Sequence, residues 1–241
     1  GGGGAGRWGR DRRAGPGRAS VGQAGRTSAI WERLESDGHG ARVTELTGLR
    51  LDPYFTGTKL VWLSEHDPRA WAGVLSGQVA IGTVDSYLAA RMSNGAAHIT
   101  DASNASRTLL YDVREGAWSD ELCELMGVPL AALPEVVPNW GDLAHTDPSV
   151  FLGIDAPISG MAGDQQAALF GQACFGVGDA KCTYGTGSFI LVNTGDKLQR
   201  RHAGLLSTVR WPSPDGPLPY APAGSHHVPR PAYQCPPPRL L

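Results

Sequence analysis

Asp164 is the residue whose type and surroundings point most directly to chemistry. It follows the small-residue stretch "SGMAG" and begins the apolar helical pattern "DQQAALFGQ". A carboxylate in the first turn of a helix is stabilised by the helix dipole, and aspartate is a common N-cap. Gln165 beside it favours a second interpretation. An amide and a carboxylate together could hold a polyol, with the acid accepting a proton from the attacking oxygen.

The stretch "TYGTGS" over residues 183–188 could bind phosphate. It places Thr186 between Gly185 and Gly187 at the bend of a predicted hairpin, where backbone N–H groups and a hydroxyl suit phosphate oxygens. It lacks the G-K-[ST] of a P-loop, and many hairpins bend at glycine. An acid followed shortly by such a bend indicates phosphoryl transfer to a hydroxyl group, in which the protein mainly positions groups and screens charge.

Tyr54 is a third candidate. It follows the turn signal Asp52-Pro53 in "LDPYFTGTKLVWL", and Gly57 relaxes the bend after it. Its hydroxyl could serve a polar ligand, but a tyrosine of the core would have the same neighbours in the sequence. Both interpretations stay open on these residues alone.

Charge and cysteine usage exclude several classes of protein. The net charge of the whole chain is −2. Residues 1–25 contain five arginines and one aspartate, and residues 212–241 contain two arginines and one aspartate. The central part, residues 26–211, therefore has 14 basic and 21 acidic residues. Such a balance predicts no nucleic-acid partner. Four cysteines without C-x-x-C spacing predict free thiols in a reducing compartment. Cys235, His226 and His227 lie in a proline-rich segment, and we assign no residue to a metal.

Hydropathy predicts a cytoplasmic chain. No apolar run approaches the roughly 18 residues of a membrane helix, and no hydrophobic segment follows the first arginines as in a secretory signal. We therefore expect no membrane span.

Helix and strand signals interleave over residues 26–211, which predicts an α/β fold. Helices are expected in "RTSAIWERLESDG", in two pieces of "TKLVWLSEHDPRAWAGVL", in "TVDSYLAARMSNG" and in "SDELCELMGVP". The third of these places Val84, Tyr87, Leu88 and Met92 on one face. Strands are expected in "AHITD" and "RTLLYDV", and "AKCTYGTGSFILVNTG" predicts a hairpin. Residues 1–25 and 212–241 are rich in glycine, arginine and proline, and we expect neither to form regular structure.

Six stretches together resemble the bacterial glycerol kinases, a group within the FGGY carbohydrate kinases. They are "LDPYFTGTKLVWL", "IGTVDSYLAARMSNG", "HITDASNASRTLLYDV", "LPEVVPN", "ISGMAGDQQAALFGQACF" and "AKCTYGTGSFILVNTG". The resemblance runs from about Arg26 to about Trp211. It implies a ribonuclease-H-like, actin-like fold of two domains, with 26–173 forming most of the first domain and 174–211 the opening hairpin and strand of the second.

The resemblance also implies an activity. A glycerol kinase is a phosphotransferase with an alcohol acceptor, and it converts ATP and glycerol to ADP and sn-glycerol 3-phosphate with Mg²⁺. Asp164 matches the general base, which also binds glycerol. Gln165 and Tyr54 match glycerol-binding positions, and Phe189 matches the apolar wall against the glycerol carbons. Thr186, flanked by Gly185 and Gly187, matches the contact to nucleotide phosphate. Homo-oligomers are common in this group.

The ends of the chain depart from the resemblance. Gly22 stands where the family has a substrate-packing tryptophan, and the family's upstream Arg-Glu pair and first phosphate loop have no counterpart. Beyond "GPLPYAPAGS" the chain becomes proline-rich. We expect both ends to be translated from a wrong reading frame. We also expect the chain to be a truncated kinase with negligible activity. Two alternatives remain: an FGGY kinase for a larger sugar, and a non-catalytic fragment acting as a binding module.

Overall fold

The structure is a computed structural model that describes residues 6–9, 25–184, 188–198, 206–211 and 219–226. Helices in this part of the chain are α1 (Ser28–Ser36), α2 (Gly40–Thr47), α3 (Thr56–His66), α4 (Pro68–Leu75), α5 (Val84–Met92), α6 (Ala102–Ala105), α7 (Asp120–Leu125) and α8 (Asp164–Gly171). All four predicted helical regions of 26–127 are confirmed. None of these helices is long and apolar enough to cross a bilayer.

The strands belong to several small sheets. They are β1 (Gly6–Gly9), β2 (Val79–Gly82), β3 (Ile99–Asp101), β4 (Tyr111–Asp112), β5 (Ala117–Trp118), β6 (Glu135–Val137), β7 (Trp140–His145), β8 (Pro157–Gly160), β9 (Ala180–Tyr184), β10 (Ser188–Val192), β11 (Leu206–Val209) and β12 (Tyr220–His226). The largest sheet is antiparallel, in the order β11-β12-β10-β9, and β3 pairs with β6 in parallel. Strands and helices are interleaved from β2 to α8, as the sequence predicts for an α/β fold.

Local sequence signals explain several helix boundaries. The Ser119 side chain accepts a hydrogen bond from the Leu122 N–H at the start of α7, and Asp67 accepts one from Ala70 at the start of α4. Each side chain satisfies one of the N–H groups that a helix start leaves without a partner. Pro68 is the first residue of α4, where its missing N–H costs nothing.

Two separate apolar clusters hold the helical region and the hairpin region. The larger joins α1 to α4 with α7 and β2, through Ile30, Leu34, Val43, Leu46, Leu60, Trp71, Ile81 and Leu122. A smaller cluster packs α8 against the four-stranded sheet through Leu169, Cys174, Leu191, Trp211 and Ala221. Cys123, Cys174 and Cys182 are free thiols within the described residues, as predicted.

The apolar face predicted for α5 does not face the core. Val84, Tyr87 and Leu88 are 57%, 40% and 49% exposed, whereas Ala89 and Ala90 on the other side are buried. Ala90 packs against Ala80 of β2, and Ala89 packs against Ile99 of β3. Small side chains let the helix approach the strands closely, so packing distance rather than hydrophobicity decided which face is buried.

Both ends expected to lack regular structure contribute a strand. β1 pairs antiparallel with β2, with Gly6 opposite Gly82, through backbone groups that need no large side chain. β12 lies between β11 and β10, although it contains Pro222. β12 pairs with β11 over residues 220–223 and with β10 over residues 223–226. Pro222 therefore lies in the half of β12 that pairs with β11 alone. A missing N–H is tolerated at such a position.

Candidate active site

The turn before Asp164 is fixed by close packing. β8 leads into residues 161–163, and α8 begins at Asp164, with Gly163 as its N-cap. A Cβ on Gly163 would lie 2.6 Å from Oε1 of Gln166, so a larger residue here would require the Gln166 side chain to move. Asp164 is therefore one residue inside the helix rather than its cap, and its side chain is exposed. This finding removes the N-cap interpretation of Asp164.

The buried carboxylate of Asp101 holds the same turn through hydrogen bonds. Asp101 accepts hydrogen bonds from the Ser103 hydroxyl and from Nδ2 of Asn139 at 2.8 Å. Ser103 in turn accepts the Gly163 N–H at 2.8 Å, and Asn139 donates to the Met161 carbonyl at 2.7 Å. Burial raises the pKa of Asp101, and these donors act in the opposite direction. The network joins β3 and α6 to the turn, and it fixes where α8 starts.

Gln165 is oriented by a buried lysine. Its Nε2 donates to Oδ2 of Asp164 at 3.1 Å, and its Oε1 accepts a hydrogen bond from Nζ of Lys181. Lys181 also donates to the Thr183 hydroxyl at 2.7 Å and is 2% exposed. Burial lowers the pKa of Lys181, and the Asp164 carboxylate partly offsets this effect. Lys181 thus fixes which end of the amide faces Asp164, a role that the sequence alone did not indicate.

Phe189 lies on the face of the hairpin that packs against α8. In the antiparallel register it stands opposite Thr183, and Leu191 stands opposite Lys181. Directly opposed residues share a face, as do residues two apart on one strand. Leu191 packs against Leu169 of α8, so Phe189 belongs to the face directed to α8. Thr186, Gly185 and Gly187 lie outside the described residues.

Tyr54 is held at the start of α3, far from Asp164 in sequence but near it in space. Its N–H donates to Oδ1 of Asp52 at 2.7 Å, and its carbonyl accepts a hydrogen bond from Nζ of Lys59. Its ring packs edge-on against Phe55, with centroids 5.3 Å apart. Burial raises the pKa of the Tyr54 hydroxyl, a nearby Arg107 lowers it, and Asp164 raises it further. The charge of Asp164 therefore reaches Tyr54.

Arg107 is a candidate site residue that sequence reasoning missed. Its Cζ lies 5.1 Å from the centroid of the Phe55 ring. Burial lowers the pKa of Arg107, whereas Tyr54 and Asp164 raise it. Tyr54, Arg107 and Asp164 lie before α3, after α6 and on α8, and no spacing pattern links them. The signal that could have found Arg107 is a single arginine in the otherwise small and polar stretch "DASNASRT".

The arrangement can bind a polyol and accept a proton from it. Asp164 is an exposed acceptor, Gln165 and Arg107 are donors, and the Tyr54 hydroxyl can act as either. Within the described residues, no group of three His, Cys, Asp or Glu side chains is placed to hold a metal ion.

Known proteins similar to this chain point to one family. Residues 16–171 match the FGGY family of carbohydrate kinases, N-terminal domain. The chain is 49% identical over 210 residues to the glycerol kinase of Halalkalibacterium halodurans, covering 87% of this chain and 42% of that protein. It is 50% identical over 203 residues to the glycerol kinase of Methylobacterium nodulans, covering 83% and 40%. The chain thus spans about two fifths of the length of these relatives.

Solved structures give the same fold. The crystal structure of Plasmodium falciparum glycerol kinase with ADP matches with a TM-score of 0.85 at 30% identity, over 92% of this chain and 44% of that one. A xylulose kinase from Rhodospirillum rubrum matches with a TM-score of 0.81 at 19% identity, over 95% and 45%, which shows a shared fold alone. The fold is the mixed α/β, actin-like fold of sugar kinases, and the chain belongs to the FGGY family of carbohydrate kinases.

Proposed function

We propose that the site binds glycerol and serves its ATP-dependent phosphorylation to sn-glycerol 3-phosphate. The observation that carries this proposal is the hydrogen-bonded pair of Asp164 and Gln165 at the start of α8. The Asp164 carboxylate also raises the pKa of Tyr54, in addition to the larger effect of burial. The identity of about half of the aligned residues to glycerol kinases supports glycerol, rather than a larger sugar, as the acceptor.

Asp164 acts in this proposal as the general base. Its carboxylate accepts the proton of the attacking hydroxyl while that oxygen forms a bond to the γ-phosphorus of ATP. The bond from the γ-phosphorus to the β,γ-bridging oxygen breaks, and its electron pair leaves with ADP. Gln165 and Tyr54 hold the other hydroxyl groups, and Phe189 covers the carbon chain. Positioning and electrostatic stabilisation supply most of the catalysis in such transfers.

The hairpin of β9 and β10 is the candidate for the phosphate side of the reaction. The two strands stay paired as far as Tyr184 and Ser188, and Gly185, Thr186 and Gly187 follow Tyr184 in the sequence. We propose that these three residues contact the ATP phosphates. Magnesium is commonly held by one or two carboxylates together with substrate phosphates, so it would accompany ATP, and we assign it no residue of this chain.

The proposal is tested by measuring glycerol binding and ADP formation with the 241-residue chain and its Asp164→Asn variant. A ligand-observed NMR titration should show glycerol binding to the wild-type chain, and affinity should fall about 10-fold or more in the variant, because a charged hydrogen-bond acceptor is lost. Any ADP formation that depends on glycerol should disappear in the variant, since an amide cannot take the proton. D-xylulose is the control ligand.

Two outcomes contradict the proposal. Equal glycerol affinity in the wild-type chain and the Asp164→Asn variant would show that Asp164 does not touch the polyol. Tighter binding of D-xylulose than of glycerol would favour a kinase for a larger sugar.

A further inference from the structure

Arg107 carries a buried hydrogen-bond donor that has no partner among the described residues. Its Nη1 is inaccessible to solvent, and it makes no hydrogen bond within the part of the chain that the structure describes. The great majority of buried polar atoms in folded proteins are hydrogen-bonded, because leaving one without a partner forfeits its interaction with water. An orphaned guanidinium nitrogen in a candidate site therefore calls for a ligand atom that accepts a hydrogen bond.

The guanidinium is joined to Tyr54 of the candidate site through one aromatic ring. It stacks over the ring of Phe55, and that ring packs edge-on against Tyr54. The backbone fixes this arrangement, because the Gly57 N–H donates to the carbonyl of Thr108, the residue after Arg107, at 2.7 Å. Arg107 is thus attached to the start of α3, where Tyr54 lies.

The chemistry around Arg107 matches a polyol hydroxyl. A guanidinium can only donate hydrogen bonds, and an ionised carboxylate can only accept them. A hydroxyl group does both, so one hydroxyl can donate to Asp164 while it accepts from Arg107. A nearby cation would also favour the negative charge that develops on the attacking oxygen as its proton leaves.

We propose that Arg107 is a substrate-binding residue whose Nη1 donates a hydrogen bond to a hydroxyl oxygen of the bound polyol. The proposal rests on the proposed function and adds a donor that the family resemblance did not supply. It also explains why the buried nitrogen has no partner within the part of the chain that the structure describes.

The test compares Arg107→Met with Arg210→Met in the 241-residue chain. Arg210 is a matched control, because its Nε is also buried with no partner among the described residues, and its Cζ lies 5.0 Å from the centroid of the Trp211 ring. Burial alone lowers the pKa of Arg210, with no contribution from a site residue. Methionine keeps an apolar side chain over the ring in each variant.

Binding is followed by ligand-observed NMR titration with four compounds. They are glycerol, 1,3-propanediol and the two enantiomers of 1,2-propanediol, so that each diol lacks one hydroxyl of glycerol. In Arg107→Met the affinity for glycerol should fall about 10- to 100-fold, as expected for a hydrogen bond to a charged group. In Arg210→Met it should not change. The diol that lacks the hydroxyl contacted by Arg107 should bind the wild-type chain and Arg107→Met with equal affinity.

Stability supplies a second readout. Arg107→Met removes a buried donor without a partner, so its Tm should equal or exceed that of the wild-type chain while its glycerol affinity falls. Arg107→Lys, which keeps the charge but not the planar fork, replaces the methionine variant if that one does not fold; it should show the same pattern among the diols.

The outcomes separate this proposal from the proposed function. Unchanged glycerol affinity in Arg107→Met, or an equal loss for all four compounds, would overturn the role of Arg107 while leaving glycerol binding intact. A wild-type chain that binds none of the four compounds would overturn the proposed function itself, and this inference with it.

Discussion

Two buried lysines support the candidate site at the scale of single residues. Lys181 orients the Gln165 amide from the hairpin, and Lys59 donates to the backbone carbonyls of Tyr54 and Phe55 from within α3. Each lysine uses its flexible stem to bring a cation to oxygen acceptors: side-chain oxygens of Gln165 and Thr183 for Lys181, and backbone carbonyls for Lys59. Both lysines are buried, whereas a lysine in a helical or strand pattern is ordinarily exposed to solvent.

Lys59 should make the stability of the protein depend on pH in the alkaline range. Burial lowers the pKa of Lys59 from 10.5 to about 8, and Asp52 partly opposes the effect. Between these two values the unfolded chain binds more protons than the folded one, so the free energy of unfolding rises with pH. The contribution of Lys59 is complete above about pH 10.5, and it is lost as the pH falls through about 8. The full change is about 3 kcal/mol.

Urea unfolding between about pH 7 and about pH 10 checks this prediction when wild type is compared with Lys59→Met. Other lysines and tyrosines titrate in both proteins and cancel in the comparison. The rise due to Lys59 should be missing in the variant. Parallel pH profiles would show that Lys59 titrates normally in the folded chain.

At the scale of secondary-structure elements, the glycines that follow α1 and α2 differ in how closely other atoms surround them. Gly38 follows α1 with φ +85°, and Gly48 ends α2 with φ +69°. A Cβ on Gly38 would meet nothing within 4 Å, but one on Gly48 would lie 2.7 Å from Cβ of Ser207 in β11. Gly48 also accepts the Ser207 N–H at 2.9 Å, so the end of α2 touches the four-stranded sheet.

The two glycines form a matched pair for mutation. Gly38→Ala should cost about 1–2 kcal/mol of stability, which is the strain of a left-handed conformation with a Cβ. Gly48→Ala should cost about 1–3 kcal/mol more, because an overpacked contact with β11 is added. The difference in the free energy of unfolding by urea measures that contact. Equal losses in the two variants would mean that α2 does not press on β11.

A buried chain of side chains links distant elements at the scale of the whole molecule. Thr208 of β11 accepts a hydrogen bond from Nε2 of Gln166 at 2.9 Å, and its hydroxyl lies 3.0 Å from that of Ser106. α8 is thereby tied to β11 and to the residue after α6. The helix that carries Asp164 is therefore held by the sheet as well as by the turn in front of it.

Thr208→Val should loosen this connection. The substitution keeps the shape of the side chain but removes the hydroxyl, so the Gln166 amide loses its shorter hydrogen bond, and the expected loss of stability is about 1–3 kcal/mol. Thr208→Ser keeps the hydroxyl and should cost less. Hydrogen exchange should also be faster for the α8 amides in the valine variant. If serine costs as much as valine, the methyl group rather than the hydrogen bonds holds β11 in place.

The sequence by itself determined the α/β class, five helices of 26–127 (α1, α3, α4, α5 and α7, but not α2 or α6) and the position of the hairpin. Those features depend on local signals: Ser119 as a cap, Pro68 at a helix start, and glycines at helix ends. Six stretches of the sequence also indicated the family, and the match to the FGGY N-terminal domain and the identity to known glycerol kinases confirm it. The roles given to Tyr54, Gln165, Phe189, Asp164 and the phosphate-binding bend stay predictions.

Only the tertiary structure decided what surrounds Asp164. Arg107 and Lys181 reach the site from other elements, and neither has a spacing relation to Asp164 that a pattern could register. Tertiary packing also buried the alanine face of α5 and recruited residues 220–226 as a strand between two others. The physical reason is common to these cases. Periodicity reports the preferences of one element, whereas burial and hydrogen bonding depend on which elements meet.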